Sequence, residues 1–268
     1  MNDLKNKVAV VLGASAENGT GWAIARALAG AGAKVVVAAR SFDRLQALAE
    51  KIGALPVACD AGSEADVAAL ARTAKERFGK VDIAVNSAGL PVVSFISEVT
   101  QQQLDDGVRV NYFANVYFTK YMAEAIGRDG SIILITSMST THPVIPHFAY
   151  ACAKAATDCL ARYAAIEYGP RNIRVNTILP GSIRSDLAAE AYKVPGFEDA
   201  FKREIPLGRV GEPDDFANAV LWLAGPAYVT GLNLQVNGGN HLTRFPSPQD
   251  LNTIVEAYKT GKPLYDRG

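Results

Sequence analysis

The chain has 268 residues, of which 49% are hydrophobic and 20% are charged. This length and composition are typical of one or two globular domains with a substantial core. The 27 basic and 27 acidic residues balance to a formal net charge of zero, and they form no polybasic segment. We therefore expect neither nucleic acid nor an anionic membrane as a partner.

Cysteine content and hydropathy indicate the compartment. The three cysteines, Cys59, Cys152 and Cys159, form no C-x-x-C pair and no cluster with the three histidines. This pattern argues against disulfides and against a metal site. No apolar run approaches the ~18 residues of a membrane span. We expect a soluble, cytoplasmic protein.

Short β-branched runs alternate with longer Ala- and Leu-rich segments of helical period. In chain order the pattern predicts strand 8–12, helix 22–30, strand 34–39, helix 42–52, strand 55–58, helix 64–78, strand 83–86, helix 100–126, strand 131–136, helix 149–168, strand 173–179, helix 213–223 and strand 233–236. Parallel strands need crossover connections, which are nearly always right-handed. We therefore predict a doubly wound, Rossmann-type α/β fold, an open parallel sheet of seven strands with helices on both faces.

No repeat and no Gly/Ser/Pro linker divides the chain, so residues 1–240 are predicted to form a single domain. Residues 185–206 do not fit the strand and helix alternation and are predicted to form a lid over the carboxyl edge of the sheet. Residues 241–268 form a predicted C-terminal extension with a helix at 248–258. Its apolar stripe must cover another surface, either the lid or a neighbouring subunit.

The first predicted strand runs into a glycine-rich turn with Gly13, Gly19 and Gly21, followed directly by a helix. Glycines at such a turn let the backbone approach a pyrophosphate, and the helix N-terminus offers free N–H groups. A turn that merely needs positive φ is the alternative.

Arg40 follows the second predicted strand, where the adenosine ribose of a bound dinucleotide lies in this fold. An acidic residue there suits the 2′-hydroxyl of NAD, whereas an arginine suits the 2′-phosphate of NADP. The residue therefore favours NADP, the alternative being a solvated arginine.

Tyr150 and Lys154 are four residues apart at the start of a predicted helix, so they share one face. An ammonium close to a phenol stabilises the phenolate and lowers its pKa, which suits a general acid/base. A surface pair is the alternative.

These features and several further motifs resemble those of the classical short-chain dehydrogenase/reductase family, from about Lys7 to Asn240. The further motifs are Asp60, Asn86-Ser87-Ala88-Gly89, Asn111, Ser137, Pro180-Gly181-Ser182-Ile183, Tyr228-Val229-Thr230-Gly231 and Val236-Asn237-Gly238-Gly239. The resemblance implies that residues 1–240 are a dinucleotide-binding and catalytic domain. It also implies a homotetramer or homodimer, with helices 100–126 and 149–168 at one interface and helix 213–223 with the last strand at another.

The resemblance implies four catalytic residues. Ser137 would bind the substrate oxygen and Tyr150 would transfer the proton. Lys154 would bind the nicotinamide ribose and lower the tyrosine pKa, while Asn111 would hold a water. Ser139 is an alternative to Ser137.

The same resemblance implies the cofactor-binding residues. Asp60 would cover the adenine, and the backbone of Ile183 would face the carboxamide. The full set is Gly13, Ser15, Gly19, Gly21, Arg40, Asp60, Ala61, Asn86, Ala88, Gly89, Tyr150, Lys154, Pro180, Gly181, Ile183 and Ser185.

The glycine motif departs from the family pattern T-G-x-x-x-G-x-G because it is two residues longer. In this it resembles divergent enoyl-acyl-carrier-protein reductases, which separate tyrosine and lysine by six residues rather than three. We expect an NADP(H)-dependent enzyme, with NAD(H) as the alternative, that interconverts a small secondary alcohol and a ketone. A C=C reductase and a non-catalytic dinucleotide sensor are the alternatives. Arg184 is either a solvated residue or an anchor for a substrate carboxylate.

Overall fold

The computed structural model describes residues 3–184 and 189–260. Residues 185–188 of the predicted lid, which include Ser185, lie outside the described residues, as does the chain beyond Thr260. Seven strands form one sheet in the order β3-β2-β1-β4-β5-β6-β7, and each neighbouring pair is parallel. The strands are β1 (Val8–Leu12), β2 (Lys34–Ala39), β3 (Leu55–Ala58), β4 (Ile83–Asn86), β5 (Gly130–Ile135), β6 (Ile173–Pro180) and β7 (Asn233–Val236). The predicted Rossmann-type α/β fold is confirmed.

Ten α-helices occur in the described parts of the chain. They are α1 (Thr20–Gly30), α2 (Phe42–Ile52), α3 (Glu64–Phe78), α4 (Gln101–Val108), α5 (Ala114–Ile126), α6 (Phe148–Tyr168), α7 (Ala189–Tyr192), α8 (Phe197–Glu204), α9 (Pro213–Ala224) and α10 (Pro248–Thr260). None of these helices has the length and apolar character needed to cross a membrane.

The five inner strands are largely buried, as expected for parallel strands joined by helical crossovers, whereas the edge strands β3 and β7 are only partly buried. All five residues of β1 are buried, and successive side chains enter different cores. Val10 lies in the core that contains Phe118 of α5, while Val11 lies in the core that contains Leu28 of α1 and Val220 of α9. This two-sided packing fixes the carboxyl ends of the strands along one edge.

The predicted helix 100–126 is not one continuous α-helix. A π-helical turn, Arg109–Phe113, separates α4 from α5. Asn111 lies in this turn, and its side chain bonds to the backbone of Leu90 outside the helix. The hydrophobic period does not reveal such a turn, because the flanking helices keep their buried faces. Single π-helical turns of this kind are frequent at functional sites.

The C-terminal helix α10 packs against α8, which lies in the predicted lid segment. Ile254 of α10 is buried, and the rings of Phe201 and Phe245 meet edge to face at 6.4 Å. Arg244 forms an ion pair with Glu204 at 3.3 Å. The apolar stripe of the extension thus lies on its own chain.

Candidate active site

A cavity of about 420 Å³ opens along the carboxyl edge of the sheet. Its walls come from the ends of the first six strands, the glycine-rich turn and the first turns of α6. The size is within the usual range for small-molecule and cofactor sites. Most of the residues predicted from sequence line this cavity.

The glycine-rich turn forms one wall, which Gly13, Ser15, Gly19 and Gly21 line. Gly13 has φ +91°, and a Cβ there would lie 2.6 Å from the backbone nitrogen of Ala88. A Cβ on Gly21 would overlap the carbonyl oxygen of Gly13. Side chains are thus excluded where the turn crosses the neighbouring strand end.

The start of α1 faces this wall without a side-chain cap. Gly19 is the N-cap residue, and the first turn contains no acidic side chain. Backbone N–H groups and the positive end of the helix dipole are therefore available to an anion. A pyrophosphate fits this cradle, although the turn is two residues longer than the family pattern.

Arg40, Asp60 and Ala61 line the end of the cavity that β2 and β3 form. Arg40 is exposed, and none of the ion pairs found within residues 3–184 and 189–260 involves it. The Asp60 carboxyl accepts a hydrogen bond from the Gly62 amide at 2.9 Å and pairs with Arg109 at 3.4 Å. The free cation at this end is available to an anionic group.

Asn86 lies beneath the cavity and does not line it. Its Oδ1 accepts a hydrogen bond from the Ala88 amide at 3.0 Å, and its Nδ2 donates to Oδ1 of Asn115 at 2.9 Å. Ala88 and Gly89 line the cavity above it. The role of Asn86 in this structure is to shape the turn that carries them.

Asn111 also lies behind the wall. Its Nδ2 donates to the carbonyl oxygens of Leu90 at 2.8 Å and Gly107 at 3.0 Å, while its Oδ1 accepts from the Leu90 amide at 3.0 Å. Its carbonyl oxygen accepts from Asn115 and Thr157, both at 2.9 Å. Asn111 thus ties the π-helical turn to the segment after β4, a contact that the sequence prediction missed.

Ser137 and Tyr150 face each other in the cavity. Ser137 follows β5, and its Oγ accepts a hydrogen bond from Oγ of Ser139 at 2.9 Å. The Ser137 hydroxyl in turn hydrogen-bonds with the phenol and lowers its pKa. Burial has the larger effect, and the pKa of Tyr150 rises to about 12. Ser139, the alternative to Ser137, is buried behind it and positions it.

Lys154 lies one helical turn after Tyr150 and is 2% exposed. Its Nζ donates to the carbonyl oxygens of Ile135 at 2.8 Å and Ala88 at 3.4 Å. Burial lowers the pKa of Lys154 to about 8. The Ser137 hydroxyl lowers the pKa of Tyr150 in this structure, and the role of Lys154 in lowering it stays a prediction. The ammonium bonds to backbone carbonyls and lies 5.8 Å from the centre of the Tyr150 ring.

The end of β6 contributes Pro180, Gly181 and Ile183 to the cavity. Ile183 pairs with Gly211 as an isolated parallel bridge, which fixes this wall. Ser185, predicted to bind the cofactor, is outside the described residues.

Arg184 forms ion pairs with Glu198 and, at 2.9 Å, with Glu212. Arg184 is about half exposed, which agrees with the solvated alternative. Its guanidinium is already paired with two carboxylates, so it is not a free anchor for a substrate carboxylate.

The sequence prediction missed three residues that support the site, namely Arg109, Asn115 and Thr157. Asn111 and Asn115 are four residues apart, so they share a face of a helix whose other residues are largely apolar. Buried amides in such a position need partners, which is a signal that was available in the sequence. The pairing of Arg109 with Asp60 joins residues 49 positions apart, and no local pattern predicts it.

Comparisons with known proteins agree with this geometry. Residues 13–241 match a family model described as "Enoyl-(Acyl carrier protein) reductase". The chain is 35% identical to the 7alpha-hydroxysteroid dehydrogenase of Escherichia coli K12, with 88% of this chain and 94% of that protein covered. It is 37% identical to the 3beta-hydroxysteroid dehydrogenase 1 of Eggerthella lenta, with 92% and 98% covered.

A solved structure of actinorhodin polyketide ketoreductase with NADPH is also similar. The TM-score is 0.82 at 29% identity, and the alignment covers 90% of this chain and 99% of that chain. The names of these relatives describe dehydrogenation of hydroxysteroids and reduction of a polyketide ketone, whereas the description of the family model names an enoyl reductase. The chain belongs to the short-chain dehydrogenase/reductase family and is an alcohol dehydrogenase or carbonyl reductase of that family.

Proposed function

We propose that this protein interconverts a secondary alcohol and a ketone with NADP(H), and that Tyr150 transfers the proton. The observation that carries the proposal is the convergence of Tyr150, Ser137 and the buried Lys154 in one cavity. Arg40, which has no ion-pair partner within the described residues, lies at the other end of the cavity. When bound, the nicotinamide supplies or accepts the hydride.

The cavity fits a dinucleotide along its length. The side-chain-free crossing at Gly13 and Gly21 and the uncapped start of α1 would hold the pyrophosphate. Arg40 would bind the 2′-phosphate by charge-assisted hydrogen bonds. Lys154 would donate to the nicotinamide ribose, and the backbone of Ile183 would face the carboxamide.

Three residues would handle the proton and the substrate oxygen. Ser137 would donate a hydrogen bond to the substrate oxygen, its Oγ accepting from Ser139 while its own proton turns from the Tyr150 phenol to the substrate. Tyr150, with a pKa of about 12, is protonated near neutral pH and suits the donor role of the reduction. The Lys154 ammonium beside it would stabilise the phenolate that the transfer leaves.

A C=C reductase is the second candidate, and the description of the matching family model favours it. The named relatives that act on hydroxysteroids favour the alcohol and ketone reaction instead. The separation of Tyr150 and Lys154 by three residues also supports carbonyl chemistry, because it places both on adjacent turns of α6. A non-catalytic sensor would not need the Ser137, Tyr150 and Lys154 set.

We also propose a homotetramer or homodimer in the cytoplasm. Exposed apolar side chains on the two expected interfaces support the assembly: Phe113, Tyr163 and Ile166 near α5 and α6, and Trp222 on α9. The free cysteines Cys59, Cys152 and Cys159 suit a reducing compartment. In this proposal residues 1–240 form the catalytic domain, 185–206 its lid and 241–268 an extension that supports the lid.

The experiment is a spectrophotometric screen of ketones and secondary alcohols, including hydroxysteroids and their ketones, with both NADP(H) and NAD(H). We expect ketone-dependent oxidation of NADPH, and faster turnover with NADPH than with NADH. Binding of NADPH without turnover of any carbonyl would support the sensor and contradict the proposal.

A further inference from the structure

The buried charge of Lys154 needs compensation that its direct contacts do not supply. Its ammonium donates to two neutral carbonyl oxygens, those of Ile135 and Ala88. Burying an ammonium without an opposite charge is costly, since carbonyl dipoles replace only part of the lost hydration. The pKa of Lys154 falls to about 8 through burial, and one acid, Asp158, opposes this fall.

Asp158 lies four residues after Lys154 on α6, so the two side chains share one helical face. It is 5% exposed, and its Oδ1 is buried with no hydrogen-bond partner among the described residues. The reaction proposed above does not use this carboxyl. A buried carboxyl with an unsatisfied oxygen lowers the stability of the fold, so its presence at this position needs an explanation.

The end of β5 brings the two groups against one wall. The carbonyl oxygen of Ile135 accepts from Lys154, and the side chain of the next residue, Thr136, faces Asp158. Thr140 and Thr177 also face this carboxyl, and Arg162 attracts it from the next turn of α6. Burial raises the pKa of Asp158, and these groups lower it by a smaller amount. The net result is a pKa above the ordinary value of an aspartate.

We propose that Asp158 is a positioning residue whose buried negative charge keeps Lys154 in the ammonium form that donates to the cofactor ribose. The inference rests on the proposed function, because it assumes that Lys154 contacts the cofactor. Without the negative charge of Asp158, Lys154 would stay in place but would lose its proton at a lower pH. The cofactor would then lose affinity on the alkaline side while its binding pocket kept its shape.

The groups that face Lys154 and Asp158 come from α6, from β5 and β6, and from the turns that follow β4 and β5. On α6, Lys154 faces Tyr150 and Asp158, and Asp158 faces Arg162. Asp158 faces three hydroxyls. They belong to Thr136 directly after β5, to Thr140 in the turn at Met138–Thr140, and to Thr177 in β6. β5 and the turn after β4 meet Lys154 with backbone carbonyls. Tyr150 is neutral in the range where Lys154 titrates, since its pKa is about 12.

The direct test is the titration of Lys154 in cofactor-free protein. Protein with 13C-labelled lysine is titrated by NMR, and the Lys154 Cε resonance is assigned by its loss in Lys154→Arg. We expect a midpoint of about 8 in the native protein and a midpoint lower by about one pH unit, a tenfold weaker proton affinity, in Asp158→Asn. Asp158→Glu should restore most of the difference. Glu167→Gln removes an exposed acid from the same helix and should change nothing.

The second readout is the NADPH dissociation constant against pH, measured by fluorescence. In Asp158→Asn the alkaline loss of affinity should begin about one pH unit lower, with native affinity at pH 6. An unchanged Lys154 midpoint in a folded Asp158→Asn protein would overturn the inference. If that variant does not fold, Asp158→Ser serves the same test. Native protein that binds no NADPH would instead overturn the proposed function, and the cofactor-free titration distinguishes the two failures.

Discussion

Replacement of Lys154 by methionine should stabilise the cofactor-free protein while it abolishes function. The ordinary pKa of a lysine is 10.5, and burial lowers that of Lys154 to about 8. The difference of about 2.5 pH units corresponds to about 3 kcal/mol. Because Lys154 is 2% exposed, solvent screening does not reduce this figure much. Loss of the hydrogen bond to the Ile135 carbonyl oxygen costs about 1 kcal/mol, so the net gain is about 2 kcal/mol.

The stability gained by Lys154→Met should depend on pH. The folded state binds this proton more weakly than the unfolded state does, so the charge destabilises the fold at low pH. The cost is fully present below about pH 8, the folded pKa, and disappears as the pH rises to 10.5, the ordinary value. The advantage of Lys154→Met should therefore be largest at pH 7 and should turn into a deficit of about 1 kcal/mol, the lost hydrogen bond, above pH 10.5.

Urea unfolding at several pH values measures this difference, with all variants at one protein concentration because assembly also affects stability. Lys75→Met, at an exposed position of α3, is the matched control and should show no pH-dependent gain. The reasoning is refuted if Lys154→Met is less stable than the native protein at pH 7, or if its advantage does not change with pH.

Three further variants test separate parts of the site. Tyr150→Phe should lower kcat by ~10²–10⁴-fold with little change in NADPH affinity, because it removes only the proton donor; a tenth of the native kcat would contradict the assignment. Arg40→Ala should reduce the preference for NADPH over NADH by about tenfold or more, since charge-assisted hydrogen bonds contribute ~1.5–3 kcal/mol; equal kcat/KM for both cofactors in the native protein would refute this. Truncation after Asn240 removes α10 and the ion pair of Arg244 with Glu204, so it should change KM and weaken assembly more than it changes the proton chemistry; unchanged kinetics and an unchanged sedimentation coefficient would show that the extension is passive.

The sequence predicted the sheet well because its strands carry a strong local signal. Each strand is a short β-branched run between turn residues, and β1 is buried on both faces. Most element ends agree within one or two residues. The main error was the single helix 100–126, since the π-helical turn at Arg109–Phe113 depends on a contact of Asn111 with Leu90, which local periodicity does not encode.

For the site, the sequence predicted residue types at strand ends but not their orientation. Gly13, Arg40, Tyr150 and Lys154 line one cavity because parallel strands end at one edge. Side-chain direction depends on partners distant in sequence, so it was not predictable. Thus Lys154 bonds to the carbonyl oxygen of Ile135 rather than to the phenol.

One measurement tests the central claim, carbonyl reduction by proton transfer from Tyr150, most directly. The protein is incubated with NADPH that carries deuterium at C4 and with a cyclic ketone that also has a conjugated C=C bond. The account predicts an allylic alcohol with deuterium on the carbinol carbon, and no such product with Tyr150→Phe. A saturated ketone with deuterium at the former C=C carbon, formed equally by Tyr150→Phe, would contradict it.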